Sequence, residues 1–290
     1  MSIKQKGIIY TVISTIIFGM TPAIGKLTYA MGNNGIQLAF LRHLFVLPLF
    51  FIVVVIKGLS FRMNKQQAID VFKVSLGNAL TIVLLYSSYG YIHTSTATVL
   101  HFLYPLFVCL LNFIIYHQPL NQKQALCLVL AIIGVFCFFE KSSSLMGLIL
   151  AIVSGIFFAY YMIGMDHSSV RELSPYIFNF YLVCINLLII FILALCTQSF
   201  HLLPIQGYVL SFFVSIFTSF VAVVFLQKGI YCLGASLTAI LSTLEPITSV
   251  IVGIVFLGEG LTILKGIGCV LVLLATFILV YSQSEKSCDG

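Results

Sequence analysis

Apolar residues run along this chain in continuous stretches of roughly twenty, separated by short polar breaks. Soluble helices show one apolar face and soluble strands alternate, so neither pattern fits. A stretch of that length crosses the ~30 Å hydrocarbon core of a bilayer as an α-helix. Ten such spans are expected, at 8–27, 37–56, 74–91, 94–116, 124–139, 145–165, 176–195, 208–227, 235–257 and 265–281. The fifth and tenth are the shortest, which suits helices at the periphery. Loops between them are too short to hold a domain, and the longest covers 57–73. The expected fold class is an all-α polytopic membrane protein, since unbroken apolar runs exclude a β-barrel.

The pattern also repeats. At an offset of 140, Gly7-Ile8-Ile9 falls on Gly147-Leu148-Ile149, with Ser14 on Ser154 and Phe18 on Phe158. At an offset of 141, Leu100, Leu103 and Pro105 fall on Leu241, Leu244 and Pro246, and Val129-Leu130 on Val270-Leu271. Two copies of five helices follow, residues 1–141 and 142–290. Five is odd, so the copies cross the membrane in opposite directions. Inverted repeats build transporters, with the substrate site at mid-depth where the copies meet.

Composition agrees. Hydrophobic residues make up 61% of the chain and charged residues 8%, against about 25% charged in soluble domains. The short basic start MSIKQKG precedes a span too long for a signal peptide and without a cleavage site, so a retained first helix is expected. With both ends on one side, that side collects ten of the lysines and arginines between the spans and the other collects three. This bias places both termini in the cytoplasm and the protein in the inner or plasma membrane. The basic residues are scattered, so they form no nucleic-acid footprint. The eight cysteines show no paired spacing and act as small buried hydrophobes rather than disulfides or metal ligands.

The ninth span holds a carboxylate, Glu245, almost at its centre, followed by Pro246. An ionisable group there costs roughly 2.5–3.5 kcal/mol, which marks a functional residue. Thr238, Ser242, Glu245 and Ser249 share one helical face, and Thr94, Thr98, His101, Pro105, Cys109 and Asn112 make the matching stripe of the fourth span. His101 aligns with Ser242, and Tyr104 with Glu245. Hydroxyl stripes alone equally serve helix packing, but the two ionisable groups favour a shared cavity, with Pro105 and Pro246 breaking the helices at equal depth. A desolvated, unpaired Glu245 would take up a proton near neutral pH and carry it, or meet a cationic group. Paired with Arg42 or His101, it would be a structural ion pair instead. Arg42 either snorkels to the nearer interface or turns inward to hold a substrate carboxylate. His43 is given no role, and His93 lies in a solvated turn. Tyr86, Tyr104, Phe158 and Tyr161 are candidate aromatic walls, and Asn78 and Asn179 are intramembrane amides that need partners. No hydrolase, zinc or nucleotide-binding motif is present. Neither enzymatic activity nor a cofactor is expected.

The run Gly234-Ala235-Ser236-Leu237-Thr238, then Leu244-Glu245-Pro246, then Phe256-Leu257-Gly258-Glu259 with Gly266 and Gly268, resembles the second repeat of the drug/metabolite transporter superfamily, EamA type. Ile17-Phe18-Gly19-Met20-Thr21-Pro22 and the single Arg42 of the second span resemble its first repeat. The resemblance implies ten helices in two inverted repeats, working by alternating access on amino acids, nucleobases, other small metabolites or cationic drugs, often outward and with protons. Where the family's first repeat has Gly-Glu, this chain reads His117-Gln118, and Tyr104 stands where an acid would match Glu245. The carboxylate therefore sits on one repeat only. Glu259 matches the family's loop acid and is read as structural, capping the tenth helix or pairing with Lys265. The expected function is secondary transport of a small metabolite, amino-acid export first. Its partners are a small solute, protons and the bilayer; the sequence does not specify an oligomeric state. The competing readings are a membrane enzyme using Glu245 and His101 as acid and base, and a receptor that binds without transporting.

Overall fold

The computed structural model describes residues 2–88, 91–92, 97, 100–118, 120–137, 144–245, 247–248, 251–252, 255 and 263–288, the side chains at 22, 23, 26, 265, 276, 277 and 279–288 excepted. The described residues form helices and no strand. Those of the first half are α1 (Ile3–Tyr29), α2 (Gly35–Ile56), α3 (Lys65–Ser88), α4 (Tyr104–Tyr116) and α5 (Gln122–Phe136). The second half supplies α6 (Leu145–His167), α7 (Pro175–Cys196), α8 (Ile205–Leu233), α9 (Ala235–Leu241) and α10 (Ile263–Cys288).

Side-chain caps set several of the boundaries. Asn34 accepts from the Gln37 amide at the start of α2, and Ser144 accepts from that of Gly147 at the start of α6. Asn121 and Gln124 cap each other at α5, as Asn64 and Gln67 do at α3. The capping box at Asn64 explains one correction. The polar stretch 65–73, expected as loop, is helical because the box starts α3 well before its apolar part. α10 is likewise 26 residues long rather than short, whereas α5 is as short as expected.

Both proline-marked spans are broken. A proline at position i cannot donate to the carbonyl four residues back. Ahead of Pro105 the chain turns at Phe102 and Leu103 before α4 begins. α9 gives way to a 3-10 turn over Ser242–Leu244, directly before Glu245 and Pro246. A third irregularity was not anticipated: α8 widens into a π-helix over Ser215–Ala222.

Helix packing follows a two-fold exchange of the halves. α3 lies along α6 as α1 lies along α8, and α4 meets α6 as α9 meets α1. α2 pairs with α7, α4 with α9, and the peripheral α5 with α10. Glycines show it at atomic scale. A Cβ on Gly7 would lie 2.6 Å from the Cys232 Cβ, and one on Gly147 would lie 2.6 Å from Cγ2 of Ile92 and 2.8 Å from the Tyr91 Cβ. Gly7 and Gly147 are repeat mates, and Tyr91-Ile92 and Cys232-Leu233 are related by the 141-residue offset. The central core holds Phe50, Tyr104, Tyr161, Met162 and Phe178, while rings and aliphatic chains such as Phe113, Ile114, Ile192 and Leu273 face outward, where lipid is the solvent.

Candidate functional site

The broken helices α4 and α9 set the site. Glu245 lies ten residues beyond the start of α9 and Tyr104 twelve before the end of α4. At ~1.5 Å per residue both sit about 15–18 Å from the face that carries the chain termini, which is mid-depth. There the Tyr104 hydroxyl donates to Glu245 Oε1 across 3.5 Å. Glu245 is half-buried within the bundle. Its described partner is neither Arg42 nor His101.

Aromatic rings and a histidine surround the pair. Phe158 stands edge-on to Tyr104 with centroids 4.7 Å apart, 5.7 Å from Tyr161 and 5.3 Å from the His101 ring. His101 Nδ1 lies 3.0 Å from Ser154 Oγ. The one hydroxyl hydrogen of Ser154 goes to the Ala151 carbonyl at 2.6 Å, so Nδ1 must carry the proton and Nε2 is left as an acceptor. The carbonyl of His101 lies against Gly155, where a Cβ would stand 3.0 Å from it. Next to α9, the Ser242 hydroxyl lies beside that of Tyr104, while on α9 itself Thr238 buries a hydroxyl oxygen with no hydrogen-bond partner among the described residues. Other helix hydroxyls here, such as those of Thr11, Thr81 and Thr243, turn back on their own backbone. The structure thus gathers Glu245, Tyr104, His101, Phe158 and Tyr161 into one cluster, with Ser242 and Thr238 on the same broken helix. Among the described residues no hydrogen bond or ion pair joins Glu245 to His101.

Arg42 belongs to a second cluster. It does not run free to the interface: Nε donates to Ser219 Oγ at 3.1 Å and Nη1 reaches the Tyr86 hydroxyl at 3.5 Å. Ser219 comes from the π-helical part of α8. Neighbouring contacts link the clusters, for Thr21 on α1 bonds Thr218 at 3.4 Å while Gly19, two residues earlier, packs on the carbonyl of Glu245.

Asn78 lies elsewhere. Its Oδ1 accepts from Asn186 at 2.7 Å, Asn186 also reaches His43 Nε2 at 3.3 Å, and His43 Nδ1 donates to the Ala39 carbonyl at 2.7 Å. His43, given no role from sequence, thereby joins α2 to α7 and α3. Asn179 is held by Gln227 and the Pro175 carbonyl, both at 2.7 Å. Thr94, Thr98, Pro246, Ser249, Glu259 and His93 lie outside the described residues, as does the side chain of Lys265. Sequence reasoning missed Ser219, which only the π-helix brings to Arg42, and Asp166. The latter is 6% exposed at the end of α6, binds Arg171 at 3.0 Å and accepts from the Ala235 amide at 2.7 Å. An aspartate inside the last turn of an apolar span was the signal available for it.

The pattern of the EamA-like transporter family matches residues 5–139 and 145–281. An uncharacterized transporter of Synechocystis sp. is 29% identical over 216 residues, covering 72% of this chain and 65% of its own length. The chain therefore spans under two thirds of that relative. A solved crystal structure 13% identical superposes with a TM-score of 0.79 over 94% of this chain and 96% of its own, a likeness of fold.

Proposed function

The chain belongs to the EamA-like transporter family, and on that premise we propose that it is a secondary active transporter exporting amino acids or related small metabolites. The repeats 1–141 and 142–290 rock about the mid-depth space, exposing it to each side in turn. Glu245 is the coupling group: it takes up a proton in one orientation and releases it in the other. Tyr104, His101, Ser242, Thr238, Thr98, Phe158, Tyr161, Tyr86, Asn78 and Arg42 contribute to binding or coupling, and Pro105 and Pro246 keep the two central helices broken. The protein sits in the inner or plasma membrane with both termini in the cytoplasm. Lys57 and Lys228 over the Tyr176 ring, and Lys228 over Tyr10, support that orientation by marking a basic, tyrosine-lined terminal face.

The observation that carries the reading is Glu245 itself, a half-buried carboxylate inside a membrane span with a tyrosine hydroxyl as its described partner. A carboxylate fixed by a cation would be inert; this one is free to exchange a proton. In proteoliposomes, Glu245→Gln should keep solute exchange but lose its acceleration by a pH gradient. Gradient dependence that survives the substitution removes Glu245 from the coupling role.

A further inference from the structure

Arg42 carries a charge that no described residue answers. Its guanidinium is a cation, and its hydrogen-bond partners, Ser219 and Tyr86, offer only hydroxyls. The described ion pairs both belong to Asp166, with Arg171 and His167, and Glu245 is bonded to Tyr104. An uncompensated cation within a membrane span is costly and marks a pathway for something of opposite charge.

The geometry around it is that of a holder. A guanidinium has five N–H donors, of which Nε and one on Nη1 are committed to Ser219 and Tyr86. The remaining donors of Nη1 and Nη2 form the edge that grips a carboxylate with two parallel bonds. Arg42 is half-buried, and no described residue takes up those remaining donors. Along one face of α8, Ser211 and Ser215 turn their hydroxyls onto the carbonyls of Gly207 and Ser211. Ser219, next in the series and 6% exposed, holds Arg42 instead. It does so inside the π-helical segment, an irregularity that gathers at functional sites. Behind Tyr86, Gly35 leaves the ring its place, since a Cβ there would stand 3.3 Å from it.

We propose that Arg42, steered by Ser219 and Tyr86, is the subsite for the carboxylate of the transported solute. The proposal rests on the transport reading and narrows it to solutes with a monoanionic end. One guanidinium balances one carboxylate, and no second cation is described beside it to meet a phosphate dianion.

The test uses the full chain in nanodiscs with 15N-labelled arginine. The sequence holds three arginines, Arg42, Arg62 and Arg171, so loss of one side-chain signal in Arg42→Lys assigns it. Sodium acetate and free amino acids should shift that signal saturably, acetamide should leave it in place, and phosphate should bind roughly tenfold more weakly or worse. No shift with any carboxylate, an equal shift with acetamide, or a stronger one with phosphate overturns the proposal. In proteoliposomes the wild type should exchange amino acids in preference to their amides, Arg42→Gln should lose that preference, and Arg42→Lys should recover part of it. A preference unchanged in Arg42→Gln overturns the subsite while transport stands. If the wild type exchanges no solute, the transport reading fails and the arginine signal still decides the subsite.

Discussion

Tyr104 and Glu245 are 141 residues apart in the chain, the offset between its repeats, and their side chains meet at 3.5 Å. Two positions related by a two-fold axis can touch each other only close to that axis. The pair therefore marks the pseudo-symmetry centre of the molecule, at mid-depth. Divergence of the two copies has put a phenol on one side and a carboxylate on the other.

That contact should be measurable as an interaction rather than as two independent losses. Tyr104→Phe, Glu245→Gln and the double variant form a cycle whose coupling is expected at about 1 kcal/mol. Equilibrium unfolding in nanodiscs supplies the three differences. Strict additivity would mean that the long hydrogen bond contributes nothing.

His101 offers a separation of its two ring nitrogens. Asparagine keeps a donor where Nδ1 meets Ser154, and glutamine keeps a polar group at the position of Nε2. If the free Nε2 serves the site, His101→Gln retains exchange and His101→Asn loses about tenfold or more. The opposite order would assign His101 to the helix packing between α4 and α6, through Ser154.

Much of this arrangement was legible before any coordinates. Long apolar runs dictate helices, five per copy dictates inversion, and a proline must break the hydrogen bond four residues back, so Leu103-Tyr104-Pro105 and Leu244-Glu245-Pro246 announced themselves. The partners of the polar groups were not legible. Nothing local says that α8 widens at Ser215, because a π-turn is stabilised by what its side chains meet, here Arg42 and Ser219. Apolar content alone puts the start of α3 near residue 74, whereas the box at Asn64 and Gln67 fixes it. The Asp166 carboxylate was passed over because its partners, Arg171 and the Ala235 amide, come from two other segments.

Asp166 and Arg171 should not be equivalent on removal. Arg171 is half exposed, and losing such a partner costs ~0–1 kcal/mol. Asp166 is buried and also answers the first amide of α9, across a corner where Gly234 has a φ of +82°. Asp166→Ala strands that amide as well as the arginine, so about 2–3 kcal/mol is expected. Thermal unfolding of both variants compares them directly, and equal effects would show that the bond to Ala235 is idle.

Glycine-to-alanine changes in membrane helices normally stabilise, since alanine is the better helix former by about 0.5–1 kcal/mol. Close backbone approach reverses the sign. At Gly7 the new Cβ meets Cys232 and at Gly147 it meets Ile92, each at 2.6 Å, and neither neighbour offers the loose end of a long side chain. Overpacking of that kind costs about 1–3 kcal/mol, so Gly7→Ala and Gly147→Ala should each lower the unfolding midpoint. Gly266 in α10 has nothing among the described residues within 4 Å of its would-be Cβ, and Gly266→Ala should raise the midpoint. The three variants share one chemical change and differ only in what lies opposite. A common sign for all three would remove the close contacts that bind the first helix of one repeat to α8 and that of the other to the chain just beyond α3.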